Sequence, residues 1–525
     1  MDTTTSPFLN RLEYLVEGKW GSRLLNFLLI PLLIIAAVLL PPISGLERVL
    51  SAGHTAISLD GGAVVDPDGT QVTFPAEGLS EPIKAKLVSI PRLNFLEGSA
   101  GADWVPAAEA LPNWLVPKSP LYVLSVRGSR PTAVIFTVPI PNDAEPYETL
   151  DLYTWNAEAG AWEWVPSQII PEDDLIEARL DYMPTSVMVM QTNLRPLGVA
   201  ADLPAGGDVP DEGREALTEI YPAGLSLGGD GLIEGDASAL PQATADVSYA
   251  VVPTLRNWSD DGIVRTDLIN NLLISSEQQE AHIAAIEALV AGNLYAGVDL
   301  DYRGVDPTLR AEYAAFVAKL AERLHALGKF VSVRVEPPRQ IAADRWETGG
   351  YDWRALGRAA DAVAIPAIVD PRSYAPGGQM EALLNWAVGE IERGKIQLVL
   401  PARSVEKAGA YLLLKGYDEA LSPLLGQIQS EEPIAIPGQP VNLTMLSERQ
   451  VSDLAYDEVL GTYSYQYRDN AGKTRTVWLE NASSLALKMT LAQRFHLRGV
   501  TLQHLLSPAS DPEIWDVGRR FQEGG

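Results

Sequence analysis

From about residue 218 to the end of the chain, short apolar runs alternate with longer segments whose apolar residues recur at helical spacing, and this constrains the fold more than any other feature. Residues 221–227 and 247–256 read as early strands, and 329–337, 361–370, 395–403 and 497–503 as later ones. Between them the pattern predicts a helix over residues 277–290, with Ser275 or Ser276 placed to cap its free amides. Asp306 and Pro307 open another, in which Leu309, Tyr313, Phe316, Val317, Leu320 and Leu324 form one apolar stripe before Gly328 closes it. Helices are also expected over about 380–393 and 484–495. Such alternation argues for a parallel sheet covered by helices. Residues 404–480 interrupt it with a helix and strands of their own, the pattern of an inserted α+β lobe.

Residues 55–195 differ. Short runs rich in Val, Ile, Tyr and Thr, separated by Gly, Pro, Asp and Asn, predict an all-β domain. Its clearest hairpin lies at residues 155–162, where a polar loop with Gly160 separates Trp155 from Trp162. Trp104, Trp114, Trp155, Trp162 and Trp164 form either part of its core or a surface for stacking on sugars. Residues 196–217, with Gly198, Pro204, Gly206, Gly207 and Pro210, have the composition of a linker.

The chain has 525 residues, which is room for about two to four domains. A formal net charge of −28 argues against nucleic acid and anionic membrane surfaces as partners, because phosphate binding requires clustered Lys and Arg. There is no cysteine, so disulfides, thiolate metal sites and cysteine nucleophiles are excluded together. His54, His282, His325, His496 and His504 show no metal-ligand spacing, and no phosphate-binding or dinucleotide fingerprint occurs, so no cofactor or metal is expected. Residues 24–40 carry no charge and, extended to 44, suit a membrane span. Arg11, Lys19 and Arg23 precede it, which puts residues 1–23 in the cytoplasm and the bulk of the chain outside. The rival reading is a signal peptide cut near residues 49–52, giving a secreted protein. Asn257-Trp258-Ser259 and Asn442-Leu443-Thr444 fit the glycosylation sequon.

The candidate chemistry sits in Ala296-Gly297-Val298-Asp299-Leu300-Asp301-Tyr302-Arg303, a buried strand carrying two carboxylates and ending in arginine. It resembles the strand-4 motif D-G-x-D-x-D-x-E of glycoside hydrolase family 18, the chitinase and spore-cortex-lytic type. The strands at 329–337, 361–370, 395–403 and 497–503 match the family's fifth to eighth in order and spacing, and residues 463–484 resemble the small insert of the spore-germination branch. The resemblance implies that residues 218–525 form a (β/α)8 TIM barrel with a small α+β insertion at about 404–480. The all-β domain before it resembles the sandwich of ankyrins and netrin receptors.

In active members of that family the final glutamate protonates the leaving oxygen and the preceding aspartate orients the substrate's acetamido group. Those roles map onto Arg303 and Asp301, with Asp299 behind and Ala296 in the first aspartate's place. A guanidinium stays protonated at biological pH and cannot serve as the acid. Ala367 and Val369 stand where the family has Met and Tyr, while Asp370 remains, and Gln503 replaces the tryptophan that floors the sugar subsite. Three readings stay open: a glycan-binding pocket without hydrolysis for a cell-wall or extracellular glycan, a structural carboxylate cluster in a scaffold of the cell envelope, and an active hydrolase of N-acetylglucosamine polymers with a relocated acid, Glu336 or Asp370. Trp258, Tyr302 and Gln503 are the expected ligand contacts. Arg256, Arg303, Arg334 and Arg403 fall near strand ends, where they either bind an acidic glycan or pair with Asp299, Asp301, Glu336 and Asp370.

Overall fold

Eight parallel strands close into a barrel in the computed structural model, which describes residues 53–242, 247–425, 451–506 and 513–523, with the backbone alone of 427–430 and 443–446. The strands are β1 (Gly198–Leu203), β2 in two pieces (Glu219–Pro222 and Leu225–Leu227), β3 likewise (Ala250–Val251 and Thr254–Arg256), β4 (Gly297–Asp301), β5 (Phe330–Arg334), β6 (Ala362–Pro366), β7 (Ile396–Pro401) and β8 (Gly499–Gln503). Each pairs with the next in parallel, and β8 pairs with β1, Val500 opposite Val199 and Leu502 opposite Ala201. At this closing seam only glycine fits, because a Cβ on Gly499 would lie 2.3 Å from the carbonyl oxygen of Gly198.

The stretch expected to be a linker therefore supplies the first barrel strand. Flanking Gly and Pro residues bound a run, Val199-Ala200-Ala201-Asp202-Leu203, that is buried except at Asp202. The barrel begins at residue 198 rather than 218.

The helices lie as their periodicity requires. Ser276–Gly292 is capped by the Ser275 side chain, which accepts from the Gln278 amide. Arg310–His325 buries Tyr313, Phe316, Val317, Leu320 and Leu324, the expected stripe, against the barrel core, and Gly328 ends it at φ +66°. Ala482–Arg494 starts with a capping box in which the Asn481 and Ser484 side chains satisfy each other's amides. In the inserted lobe Ser404–Ala408 pairs antiparallel with Tyr411–Lys415 and with Thr474–Trp478, which continues to Thr462–Arg468 and Ala455–Asp457. The 462–478 hairpin turns through Asp469 and Gly472, whose φ is +72°.

The chain divides into two compact units, one of residues up to Ile90 with Leu121–Val138 and Arg179–Val187, the other of Pro91–Pro120, Pro139–Ala178 and everything from Met188 on. Residues 55–195 contribute strands to both. In the first unit Ile83–Ile90 pairs antiparallel with Thr55–Ile57 and Leu121–Arg127, while Gln71–Phe74 pairs with Gly62–Val65. In the second, the hairpin at 155–162 joins Leu150–Asn156 to Ala161–Val165, with Trp155 opposite Trp162. The segment 24–44 lies outside the described residues, among which no helix is long and apolar enough to cross a membrane.

Candidate functional site

Strand β4 is buried throughout, so its alternating side chains divide between the helices outside and the barrel interior. Val298 and Leu300 join the apolar core, and Asp299 and Asp301 face inward. Asp299, fully buried, accepts from Thr254 Oγ1 at 3.0 Å and from Arg334 Nε at 2.6 Å. Burial raises its carboxyl above the ordinary range against the pull of Arg334. Arg334 reaches across the barrel to Asp202 on β1 with a bidentate pair at 3.0 and 2.6 Å. One guanidinium thereby ties β1, β4 and β5 together.

Asp301 is held by its neighbour two residues on. Arg303 Nε and Nη2 donate to the two Asp301 oxygens, both at 3.1 Å, and the Arg303 guanidinium lies 3.7 Å from the centre of the Trp258 indole. Arg256 lies over the same ring at 4.3 Å. Asn257, 2% exposed, clamps the backbone at 303, accepting from the Arg303 amide and donating to its carbonyl, each at 2.8 Å. Its sequon is a packing element here, while the second, at 442, lies outside the described residues.

Glu336, just beyond β5, shares a cavity of about 230 Å3 with Asp301, Arg303 and Gln503. Its Oε2 accepts from the Gly304 amide at 3.2 Å and lies 3.1 Å from the Tyr351 hydroxyl, which also sits 2.8 Å from the Tyr302 carbonyl. Asp301, Arg303 and Gln503 also line a second cavity of about 620 Å3, with Asp202, Arg256, Trp258, Arg403 and His504 on its walls. Arg256, Trp258 and Asp260 continue into a third of about 480 Å3. The barrel mouth is thus a run of three hollows sharing walls. Burial and the charge of Arg403 hold His504 below the usual imidazole range, so it adds no positive charge at neutral pH.

The structure therefore brings Asp299, Asp301, Arg303, Arg334, Glu336, Trp258, Arg403 and Gln503 together, and the pairing reading of the arginines holds for Arg303 with Asp301 and Arg334 with Asp299, whereas among the described residues no carboxylate pairs with Arg403. Two expectations fail. Tyr302 is part of the lining of the 230 Å3 hollow, but its side chain, 1% exposed, points outward, its hydroxyl 2.5 Å from His282 Nε2, because in a strand the residue after Asp301 faces the other way. Asp370 is absent from the walls of these three hollows. It caps the turn Pro371–Tyr374 and forks onto Arg372, which holds its carboxyl below the usual range, the wrong direction for a proton donor. Four of the five tryptophans of the β region are engaged in packing: Trp155 is buried, Trp114 meets Tyr153 edge-on, Trp162 donates to the Ala107 carbonyl at 2.8 Å and Trp164 to Asp151 at 3.2 Å; Trp104 is half-buried. Asp202, Asn257 and Tyr351 were not foreseen as site residues. For Asp202 the signal was present, a single acid in an otherwise apolar run.

Fold and site together define an eight-stranded α/β barrel with a carboxylate pair on its fourth strand, facing a mouth lined by arginines. No family model matches the chain. It is 22% identical over 294 residues to the uncharacterized glycosylase YvbX of Bacillus subtilis, covering 53% of this chain and 77% of that protein. It is likewise 22% identical over 306 residues to the putative sporulation-specific glycosylase YdhD of the same organism, covering 55% and 68%. Among solved structures, the chitinase of Chromobacterium violaceum superposes with a TM-score of 0.47 at 20% identity, over 63% of this chain and 99% of that one. The glycosylase relatives support the resemblance of the barrel to glycoside hydrolase family 18.

Proposed function

We propose that the protein is a glycan-binding protein built on a glycosidase-like barrel that no longer hydrolyses efficiently, taking an N-acetylglucosamine-containing cell-wall or extracellular glycan as ligand. The observation that carries this reading is the Arg303 guanidinium, forked onto both oxygens of Asp301 where the related enzymes have an acid. It cannot deliver a proton to a leaving group, and loss of a general acid costs about 10²–10⁴-fold in rate. The three connected hollows offer room for an extended saccharide. The apolar segment 24–44 supports a cytoplasmic-membrane anchor, with the barrel and the β region outside the cytoplasm.

The test compares binding of labelled chitin and peptidoglycan fragments by the protein and by Asp301→Ala, with hydrolysis followed in parallel. Binding by the native protein, its loss in the variant and negligible turnover support the reading; robust turnover of an N-acetylated oligosaccharide overthrows it. One observation favours a second reading, relocated acid catalysis: Glu336 lines the same hollow as Asp301. Turnover that vanishes in Glu336→Gln would establish that alternative.

A further inference from the structure

We infer that the saccharide bound at the barrel mouth carries an oxyanion, a carboxylate or a phosphate, and that Arg403 and Arg256 receive it. This rests on the glycan-binding reading and adds the chemical class of the ligand. The largest hollow presents Arg256, Arg303 and Arg403 against Asp202, Asp260 and Asp301. The acids are not equally available to repel an anion. Asp202 is paired with Arg334, which it shares with Asp299, a carboxyl pushed up by burial; Asp301 is paired with Arg303; and the Asp260 side chain is 88% exposed and screened by water.

The two remaining guanidiniums are left with donors to spare. Arg256, whose side chain is only 14% exposed, makes one contact at 3.4 Å with Asp260, and its buried Nε has no acceptor among the described residues. A guanidinium offers five N–H donors, so an Arg this buried with so few partners is short of acceptors. Its guanidinium carbon lies over Trp258, 4.3 Å from the ring centre, a contact that consumes no N–H donor. Arg403, half-buried in the lining of the same hollow, two residues beyond β7, has no carboxylate partner among the described residues. Its charge is felt by Glu419, but that carboxylate is already taken by Lys415 at 2.5 Å. In a chain of net charge −28, two under-partnered arginines in one cavity are what a planar anion requires, since carboxylate and phosphate match the guanidinium fork.

The experiment measures binding of four oligosaccharides of equal length to the purified protein: neutral N-acetylglucosamine, a muramic-acid-containing oligomer with free carboxylates, its carboxyl-reduced form, and a phosphorylated oligomer. One of the two acidic probes should bind about ten- to a hundredfold more tightly than the neutral and reduced ones, and which one it is identifies the oxyanion. Arg403→Gln, checked for an unchanged melting temperature, should bind that probe no better than the neutral oligomer; if the variant melts early, Arg256→Gln is read in its place. Equal affinity for neutral and acidic oligomers overturns the inference and leaves glycan binding standing. A preference that survives in both variants overturns the assignment to these arginines. Failure of all four probes to bind removes the glycan-binding reading itself.

Discussion

Arg393 is the position whose substitution should cost the fold most. Its guanidinium is 1% exposed and every donor is used: Nε and Nη2 fork onto Asp151 at 2.5 and 3.0 Å, Nη2 also meets the Leu150 carbonyl at 3.0 Å, and Nη1 meets those of Glu148 and Phe495 at 2.7 and 2.8 Å. Within the second unit it joins the strand Leu150–Asn156 to the end of the helix Ala482–Arg494. Arg393→Met keeps the volume and removes the charge, leaving Asp151, itself 2% exposed, with only Trp164 at 3.2 Å and Thr192 at 3.5 Å. Breaking one side of a buried pair costs about 3–5 kcal/mol. Replacing both partners is far milder, so Arg393→Met with Asp151→Leu should recover most of the loss. The assay is urea denaturation of residues 53–525, followed by the fluorescence of Trp164, Trp386 and the other tryptophans. The single variant's deficit should also shrink as pH falls from 7 towards 5, because a lone buried carboxyl is cheaper to hold protonated than charged. A single variant within about 1 kcal/mol of the native protein, or a double variant no better than the single, would refute the reasoning.

Three further outcomes are expected. His282 is buried with Nδ1 2.7 Å from the Gly231 carbonyl, which only accepts, so Nδ1 carries the proton and Nε2 accepts from Tyr302; burial lowers its pKa to about 4. Its folded pKa is below the unfolded 6.5, so its contribution, about 3 kcal/mol, is complete above pH 6.5 and lost as pH falls towards 4; denaturation midpoints of the protein and His282→Gln across that window should converge at the acid end. In a host that glycosylates, mass spectrometry should find Asn257 unmodified, because its amide is buried and bonded to residues 265 and 303. Gly499→Ala should open the closing seam and lower stability by about 1–3 kcal/mol or more, visible as an earlier thermal transition.

Strands β4 to β8 were legible because a parallel strand buried on both faces is a short, nearly continuous apolar run, as in Val331-Ser332-Val333 or Ala362-Val363-Ala364-Ile365. β1 was not, since Ala200 and Ala201 are weak strand formers and the surrounding glycines and prolines dominate any window of that length. The acids and arginines of the mouth could be named from the sequence, but not their partners: Asp202 and Arg334 are separated by 132 positions, and only the ring of strands brings them together. Alternation from Asp299 and Asp301 already turns the Tyr302 side chain towards the helices. At Asp370 the Asp-Pro pair starts a turn, and this local geometry, legible in the sequence, outweighs the family position.

The seam between Gly198 and Gly499 also sets the order of events at the ribosome. β1 is made early, yet its partner β8 follows about 300 residues later, a delay of roughly 15–60 s at synthesis rates of about 5–20 residues per second. Until then the nascent sheet carries an open edge on each side, ready to pair with a neighbouring chain. A holdase acting during that interval should raise the yield of this protein more than stabilising its finished form would.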